Sequence, residues 1–151
     1  MKTHINLFNF LLFTSCCLLT ACEKDDPIPD PIVYSEVPEI TFLSVSSTNV
    51  NASDPLTFKI SYADGDGDLG ENTDGVYNLF LTDNRFGTPY QYRIKQLSPT
   101  TSIIIKGTIE IELISAKLTG PAPQNAVFSV YVVDRAGHAS NTVTSPSVTV
   151  H

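Results

Sequence analysis

The fold of this chain is decided by the stretch Leu56-Thr57-Phe58-Lys59-Ile60-Ser61-Tyr62, in which large apolar residues occupy every second position. Successive side chains of a β-strand point to opposite faces, so this alternation predicts a strand with one buried and one solvated face. The pattern recurs at residues 90–97 and 108–113, with turn residues between the runs. The body of the chain is therefore predicted to be all-β.

Seven or eight antiparallel strands are predicted between residues 39 and 151. The segments are 39–45, 56–62, 76–81, 90–97, 102–105, 108–113, 126–133 and 141–150. Breaks in the strands are expected at Lys106-Gly107 and at Pro146. Since proline suits an edge strand, the segment 141–150 is expected at the edge of a sheet. The apolar segment 126–133 is expected at the centre of a sheet, and 109–118 is the one helix candidate, although its alternation favours a strand. This number of strands in a domain of this size is typical of a single immunoglobulin-like β-sandwich.

Two residues after Tyr62 begins the acidic run Asp64-Gly65-Asp66-Gly67-Asp68-Leu69-Gly70-Glu71, and Asp74 follows it closely. These carboxylates repel one another unless water, salt or a cation screens them. Glycine lets the backbone turn so that oxygens converge, and Ca²⁺ accepts six to eight oxygen ligands in flexible geometry. Two interpretations stay open: a weak Ca²⁺ site, or a solvated acidic turn. The candidate Ca²⁺ ligands within the run are Asp64, Asp66, Asp68, Glu71 and Asp74.

The predicted strand order places this acidic run between the second and third strands of the sandwich. In an immunoglobulin-like domain that loop lies at the same end as the hairpin at 134–140 and the start of the first strand, near Glu36 and Glu39. Acidic residues from three separate segments are therefore expected to meet at the end nearest the linker.

The body resembles the disulfide-free immunoglobulin-like domains of bacterial surface proteins. The segment that carries the resemblance best is Val130-Tyr-Val-Val-Asp-Arg-Ala-Gly-His-Ala-Ser-Asn141. The acidic loop is also similar to the Asp-rich loops of cadherin-like Ca²⁺ modules, which place Asp-x-Asp in this loop and an Asp after the sixth strand. This second resemblance implies that Asp134 joins Asp64, Asp66 and Asp68 as a Ca²⁺ ligand.

Residues 1–21 have the form of a secretory signal peptide. Lys2 is followed by a mostly apolar run from Ile5 to Leu19 and by the small residues Thr20-Ala21. The alternative is an N-terminal membrane helix, which usually needs about 20 apolar residues. The run is shorter than that and lacks a basic stop, so a cleaved signal is favoured.

Leu19-Thr20-Ala21-Cys22 resembles the lipobox of bacterial lipoproteins. The resemblance implies cleavage before Cys22 and covalent acylation of Cys22, for example with palmitate, which anchors the chain in a membrane. The segment Glu23-Lys-Asp-Asp26 is similar to the export signal of surface-exposed lipoproteins of the Bacteroidota. This similarity implies an outer-membrane lipoprotein whose domain faces outward, with the periplasmic face as the alternative.

Alternating prolines in Asp26-Pro-Ile-Pro-Asp-Pro31 exclude a helix and favour extended polyproline II. Residues 22–38 are therefore predicted to form a lipidated, acidic, Pro-rich linker. The sandwich domain is predicted to span residues 39–151.

The charge and the residue types narrow the function. Nine basic against sixteen acidic residues give a net charge of −7, which argues against nucleic acid and against electrostatic docking on anionic lipid. All three cysteines lie within the first 22 residues, and His138 is the only histidine of the body apart from the terminal His151, so thiolate nucleophiles and zinc sites are disfavoured.

The chain is accordingly predicted to be non-enzymatic, with a binding or accessory role in the cell envelope. An envelope protein or a glycan is the expected partner, and an exposed cluster of Tyr90, Tyr92 and Phe86 would support that role. The first alternative is a structural stalk domain whose Ca²⁺ loop stiffens the junction between linker and domain. The second is a hydrolase or a carbohydrate-processing accessory domain.

Overall fold

The computed structural model describes residues 33–99 and 102–151. The predicted signal peptide, Cys22 and most of the predicted linker lie outside the described residues. The described part of the chain forms ten β-strands and no helix, and hence no helix that is long and apolar enough to cross a membrane.

The strands, in chain order, are β1 Glu39–Val45, β2 Asn49–Val50, β3 Leu56–Asp64, β4 Leu79–Asp83, β5 Pro89–Tyr92, β6 Ile105–Leu113, β7 Gln124–Ala126, β8 Phe128–Val132, β9 Val143–Thr144 and β10 Val148–Val150. They form one sheet in the order β1-β3-β6, a second in the order β5-β4-β8-β9, and a third in the order β2-β10-β7. The third sheet prolongs the second, because β7 and β8 are separated only by Val127.

The core lies between the β1-β3-β6 sheet and the sheet that contains β8. Leu56, Phe58 and Ile60 of β3 are fully buried, and the rings of Phe58 and Phe128 lie 4.8 Å apart across the two layers. The β8 strand pairs with β4 on one side and β9 on the other, which confirms its predicted central position. The predicted all-β sandwich is therefore confirmed.

The predicted strand count was wrong, because ten short segments replace seven or eight longer ones. Two of the predicted strands are each split in two, at Val127 and around Pro146. The short strand β2 was missed altogether. It pairs with β10 in a parallel register, so the sandwich is not purely antiparallel, and β10 lies inside its sheet rather than at an edge.

The predicted break at Lys106-Gly107 was wrong, since β6 runs without interruption from Ile105 to Leu113. Gly107 pairs with Tyr62, and a Cβ atom added at Gly107 would lie 2.7 Å from the Tyr62 hydroxyl oxygen. The glycine therefore makes room for a neighbouring aromatic ring and does not end the strand. The helix candidate at 109–118 is not helical either: β6 covers residues 109–113, and residues 114–118 follow the strand without regular structure.

The predicted strands at 76–81 and 90–97 have different bounds because of the buried side chain of Asn78. Its amide donates to the Ile94 carbonyl at 3.1 Å and accepts from the Ile94 amide at 2.6 Å. A side chain thus takes the backbone groups that a neighbouring strand would otherwise pair, so β5 ends at Tyr92. Residues 93–97 instead cross to the acidic loop.

Asp83 and Arg85 make a buried ion pair in the turn between β4 and β5. The Arg85 guanidinium donates to both Asp83 carboxylate oxygens and to the Ala116 carbonyl, and the two side chains are 8% and 1% exposed. Each charge is neutralised and hydrogen-bonded, which a buried ion requires. The pair ties the β4–β5 turn to the segment that follows β6.

We expect Phe58→Ala to lower the free energy of unfolding by about 3–5 kcal/mol, because it removes a fully buried ring and leaves a cavity. Urea unfolding followed by circular dichroism measures the change. Leu43→Ala is the control, since Leu43 is 48% exposed, and it should cost about 1 kcal/mol or less. Equal losses in the two variants would contradict the placement of Phe58 in the core.

Candidate metal centre

The acidic loop brings three carboxylates together at the end of β3. One ligand oxygen each from Asp64, Asp66 and Asp68 lies within 4.8 Å of the other two. Asp64 has no exposed surface, Asp68 is 6% exposed, and Asp66 is half-buried. The turn is therefore not a solvated one, and the three residues are named the Asp cluster below.

Each member of the Asp cluster has one buried oxygen without a hydrogen-bond partner, Oδ1. The Oδ2 atoms of two members are used: Asp64 accepts from the Leu69 amide at 2.8 Å, and Asp68 accepts from the Ala136 amide at 3.0 Å. Buried polar atoms in folded proteins normally have partners. Three unpaired acceptors on neighbouring carboxylates are typical of a cation-binding site in the absence of its cation.

Three glycines of the loop allow it to pack closely against the backbone of three other segments. A Cβ atom at Gly65 would lie 2.5 Å from the Ser35 carbonyl oxygen, at Gly67 2.4 Å from that of Ile103, and at Gly70 2.3 Å from that of Lys95. No other residue type fits in such gaps, and Gly67 and Gly70 also have positive φ angles, which favour glycine.

Hydrogen bonds hold the same contacts, since the Gly65 amide donates to the Ser35 carbonyl at 2.8 Å and the Leu97 amide donates to the Leu69 carbonyl at 3.4 Å. The loop is consequently clamped.

Burial and mutual repulsion raise the pKa of two cluster members. The pKa of Asp64 is raised to about 6, mainly because the carboxylate is removed from solvent. The neighbouring Asp66 and Asp68 also raise this pKa, whereas the hydrogen bond from the Leu69 amide lowers it. Burial is also the main cause of a raised pKa of Asp68, followed by the charges of Asp134 and Asp66. Two unit charges about 5 Å apart repel by about 3.5 kcal/mol at an effective dielectric constant of about 20. Full ionisation of the cluster therefore needs a compensating cation.

The hairpin after β8 packs against the Asp cluster, as the strand order predicted. Besides the bond from Ala136 to Asp68, the Arg135 guanidinium donates to the Gly70 carbonyl at 2.8 Å. Asp134 is buried beside the cluster, but both of its oxygens face His138, at 2.8 Å from the amide and 3.0 Å from Nδ1. Asp134 thus acts on the cluster through its charge, and its oxygens are occupied by the hairpin.

Glu71 and Asp74 lie outside the Asp cluster. Glu71 accepts from the Thr73 amide and hydroxyl, both at 2.8 Å, and these bonds lower its pKa. The Asp74 side chain is 98% exposed and pairs with Arg93 at 2.6 Å, which lowers its pKa. Glu36 and Glu39 are exposed and likewise lie outside the Asp cluster. The segment before β1 therefore contacts the acidic loop through the backbone carbonyl of Ser35 and not through a carboxylate.

The donor set suits a hard divalent cation. Carboxylate oxygens prefer Ca²⁺ or Mg²⁺, and Ca²⁺ tolerates irregular geometry and carbonyl or water ligands better than Mg²⁺ does. Three buried carboxylates supply only part of the six to eight ligands that Ca²⁺ takes, so water and nearby carbonyl groups would complete the shell. The residues present therefore fit Ca²⁺ better than the other biological cations of this class.

Several groups that shape the centre were not found from the sequence. They are the backbone of Ser35, Leu69 and Ala136 and the side chain of Arg135. Backbone donors have no residue signature, but Arg135 beside Asp134 in the hairpin was an available signal. Its positive charge within a cluster of acids marks it as a tether between the two loops.

Tyr90 and Tyr92 are half-buried rather than freely exposed, and the Tyr92 hydroxyl donates to the Glu112 carbonyl at 3.0 Å. They do not provide the exposed aromatic cluster that would support a binding role.

No protein-family model matches the chain, and no curated protein is significantly similar to it.

We expect the metal-free protein to lose stability as the pH rises from 5 to 7. The pKa of Asp64 is higher in the folded chain than in the unfolded chain, so folding binds a proton below about pH 6 and that stabilisation disappears above it. The loss should be on the order of 1 kcal/mol, measured by urea unfolding in the presence of a chelator.

Asp64→Asn is the matched variant for this experiment, because an amide is neutral at every pH and still accepts the Leu69 hydrogen bond. Its stability should change less than that of the native protein over the same interval. An identical pH dependence in both proteins would show that Asp64 does not titrate as described.

Proposed function

We propose that this chain is a non-enzymatic lipoprotein of the cell envelope whose sandwich domain binds one Ca²⁺ ion at the Asp cluster. The ion fixes the domain on the linker that precedes it. The observation that carries the proposal is the set of three unpaired Oδ1 atoms, two of them on carboxylates that are at least nine-tenths buried. A bound divalent cation offsets both the repulsion between the carboxylates and the missing hydrogen bonds.

The structural role is favoured over recognition of an external partner by the position of the cluster. The Gly65 amide, between two cluster members, donates to the carbonyl of Ser35 in the predicted linker. Lys106 of β6 contacts the ring of Tyr34, at 3.9 Å from its centroid, and holds the adjacent linker residue against the sandwich. A cation that orders residues 64–68 therefore also orders the attachment of residues 34 and 35.

Burial supports a non-catalytic assignment. Asp64 has no surface that solvent reaches, and a substrate has to contact the groups that act on it. The imidazole of His138 is directed at Asp134, in a hairpin where short polar side chains hold backbone amides. Both sets of groups have a structural explanation that needs no reaction.

The envelope location rests on the N-terminal motifs, which lie outside the described residues. Lipidation of Cys22 would anchor the chain stably when two or three acyl chains are attached. The acidic residues after Cys22 favour the outer face of the outer membrane, with the periplasmic face as the alternative. Ca²⁺ in the millimolar range is available outside the cytoplasm, which suits a site of the weak extracellular class.

We expect 10 mM Ca²⁺ to raise the melting temperature of the protein by roughly 5 °C, since a site with a Kd of about 1 mM gains about 1.4 kcal/mol from tenfold excess ligand. Asp66→Asn with Asp68→Asn should remove the shift, because it removes two of the three charges. Differential scanning calorimetry against a chelator blank measures both.

The control for the Ca²⁺ experiment is Asp74→Asn, which removes an equally acidic residue outside the cluster. It should retain the full Ca²⁺ shift. An equal shift in all three proteins, or none in the native protein, would contradict the metal site. Mg²⁺ at the same concentration should produce a smaller shift.

We expect Cys22→Ser to abolish incorporation of an alkyne-tagged fatty acid into the protein, because acylation needs the thiol. Cys16→Ser should leave labelling intact, since Cys16 lies within the predicted signal peptide. Gel fluorescence after growth with the tagged fatty acid gives the result. Labelling of the Cys22→Ser protein would remove the lipoprotein assignment and leave the metal site untouched.

A further inference from the structure

Among the described residues, the β6 strand forms a long and regular sheet edge that no further strand covers. It contains nine residues, and β3 is the one described strand with which it pairs. The Glu112 carbonyl accepts from the Tyr92 hydroxyl, so it points away from β3. Backbone direction alternates along a strand, and the amides and carbonyls of Lys106, Thr108 and Glu110 therefore face the same free edge.

Two other edge strands of the described sandwich, β1 and β5, carry features that protect them. On β1, the Asn141 side chain accepts from the Ile40 amide and donates to the Ile40 carbonyl, both at 2.8 Å, and the register shifts between Phe42 and Ser44. The edge strand β5 has only four residues and begins with Pro89. Such devices prevent pairing between sheet edges. Along β6, the one comparable contact made by the described residues is that of the Tyr92 hydroxyl.

The solvated face of β6 is complementary to itself. From Ile104 to Ile114 exposure alternates with the strand period, and the outward residues are Ile104, Lys106, Thr108, Glu110, Glu112 and Ile114. An antiparallel copy centred on Ile109 sets Lys106 opposite Glu112, Thr108 opposite Glu110, and Ile104 opposite Ile114.

This register matches charges and apolar side chains at once. Glu112 has no ion-pair partner among the described residues, and Lys106 contacts only the uncharged Tyr34, so neither charge is neutralised within one copy. Glu110 already pairs with Lys59 at 3.1 Å. Ile104 and Ile114, at the two ends of the strand, are 51% and 82% exposed, so both have apolar surface available for a contact.

We propose that two copies of this chain pair through their β6 strands, in antiparallel register about Ile109. The three-stranded sheets join into one of six strands, and the Lys106 amide of the partner replaces the Tyr92 hydroxyl at the Glu112 carbonyl. Each Lys106 then faces the partner's Glu112, and each Ile104 packs on the partner's Ile114. A two-fold axis makes every such contact occur twice.

An apolar groove beside β6 adds to the surface that the pairing covers. It has a volume of about 210 Å³ and is lined by Leu79, Tyr92, Ile94, Ile109 and Ile111, with charged residues at its rim. A single pair of strands is a small interface, so the dimer should be weak and should form only as the protein concentration rises.

Sedimentation velocity of the full chain at about 1 to 300 μM measures the fractions of monomer and dimer and so tests the pairing. Because the chain is proposed to carry a lipid at Cys22, all samples contain the same detergent. The native protein should pass from monomer to dimer. Glu112→Lys sets like charges opposite each other twice and should raise the Kd by about tenfold or more, and Lys106→Glu should do the same. The double variant Lys106→Glu with Glu112→Lys restores opposite charges and should restore dimerisation.

Glu39→Lys is the matched control, because it reverses an exposed charge on the β1 edge of the same sheet and should leave the Kd unchanged. Circular dichroism establishes that each variant is folded. In a second measurement, the amides of Thr108 and Glu110 should exchange hydrogen more slowly as the concentration rises. A monomer throughout the range, a dimer that Glu112→Lys does not weaken, or failure of the double variant to recover would overturn the proposal.

Discussion

The structure depends on the burial of two like charges, Asp64 and Asp68, at the end of the sandwich where three segments meet. An unpaired carboxylate is among the most costly groups to remove from water. Here each carries one hydrogen bond from a backbone amide and one oxygen with no partner. Nothing among the described residues neutralises the cluster in the way that Arg85 neutralises Asp83. A bound cation would supply that missing charge and would hold together the elements whose backbone surrounds it.

The surroundings of the Asp cluster explain how a local site acts on the whole domain. The carbonyls of Ser35, Ile103 and Lys95 lie against the loop glycines, and Arg135 reaches the Gly70 carbonyl from the opposite hairpin. These contacts come from the N-terminal segment, from the approach to β6, from the segment after β5 and from the hairpin after β8. Ordering the loop therefore orders four connections that share little else, while the core between the sheets remains a separate source of stability.

The alternation in Leu56–Tyr62 was enough to predict the fold class, because a buried face leaves a two-residue period that few other structures produce. The members of the Asp cluster were also predictable, since their spacing is local. Asp74 and Glu71 could not be separated from them, because Arg93 and Thr73 engage these acids through the folded chain. Strand bounds failed where a side chain replaced backbone pairing, as Asn78 does for Ile94, or where a glycine served an aromatic neighbour, as Gly107 does for Tyr62.

A crystal structure of the protein grown in millimolar Ca²⁺ tests the central claim most directly. The account predicts one Ca²⁺ ion bound by the Oδ1 atoms of Asp64, Asp66 and Asp68 at about 2.3–2.6 Å, identified by its anomalous scattering. Carboxylates that are instead linked to one another by protons or by water, with no cation among them, would contradict it.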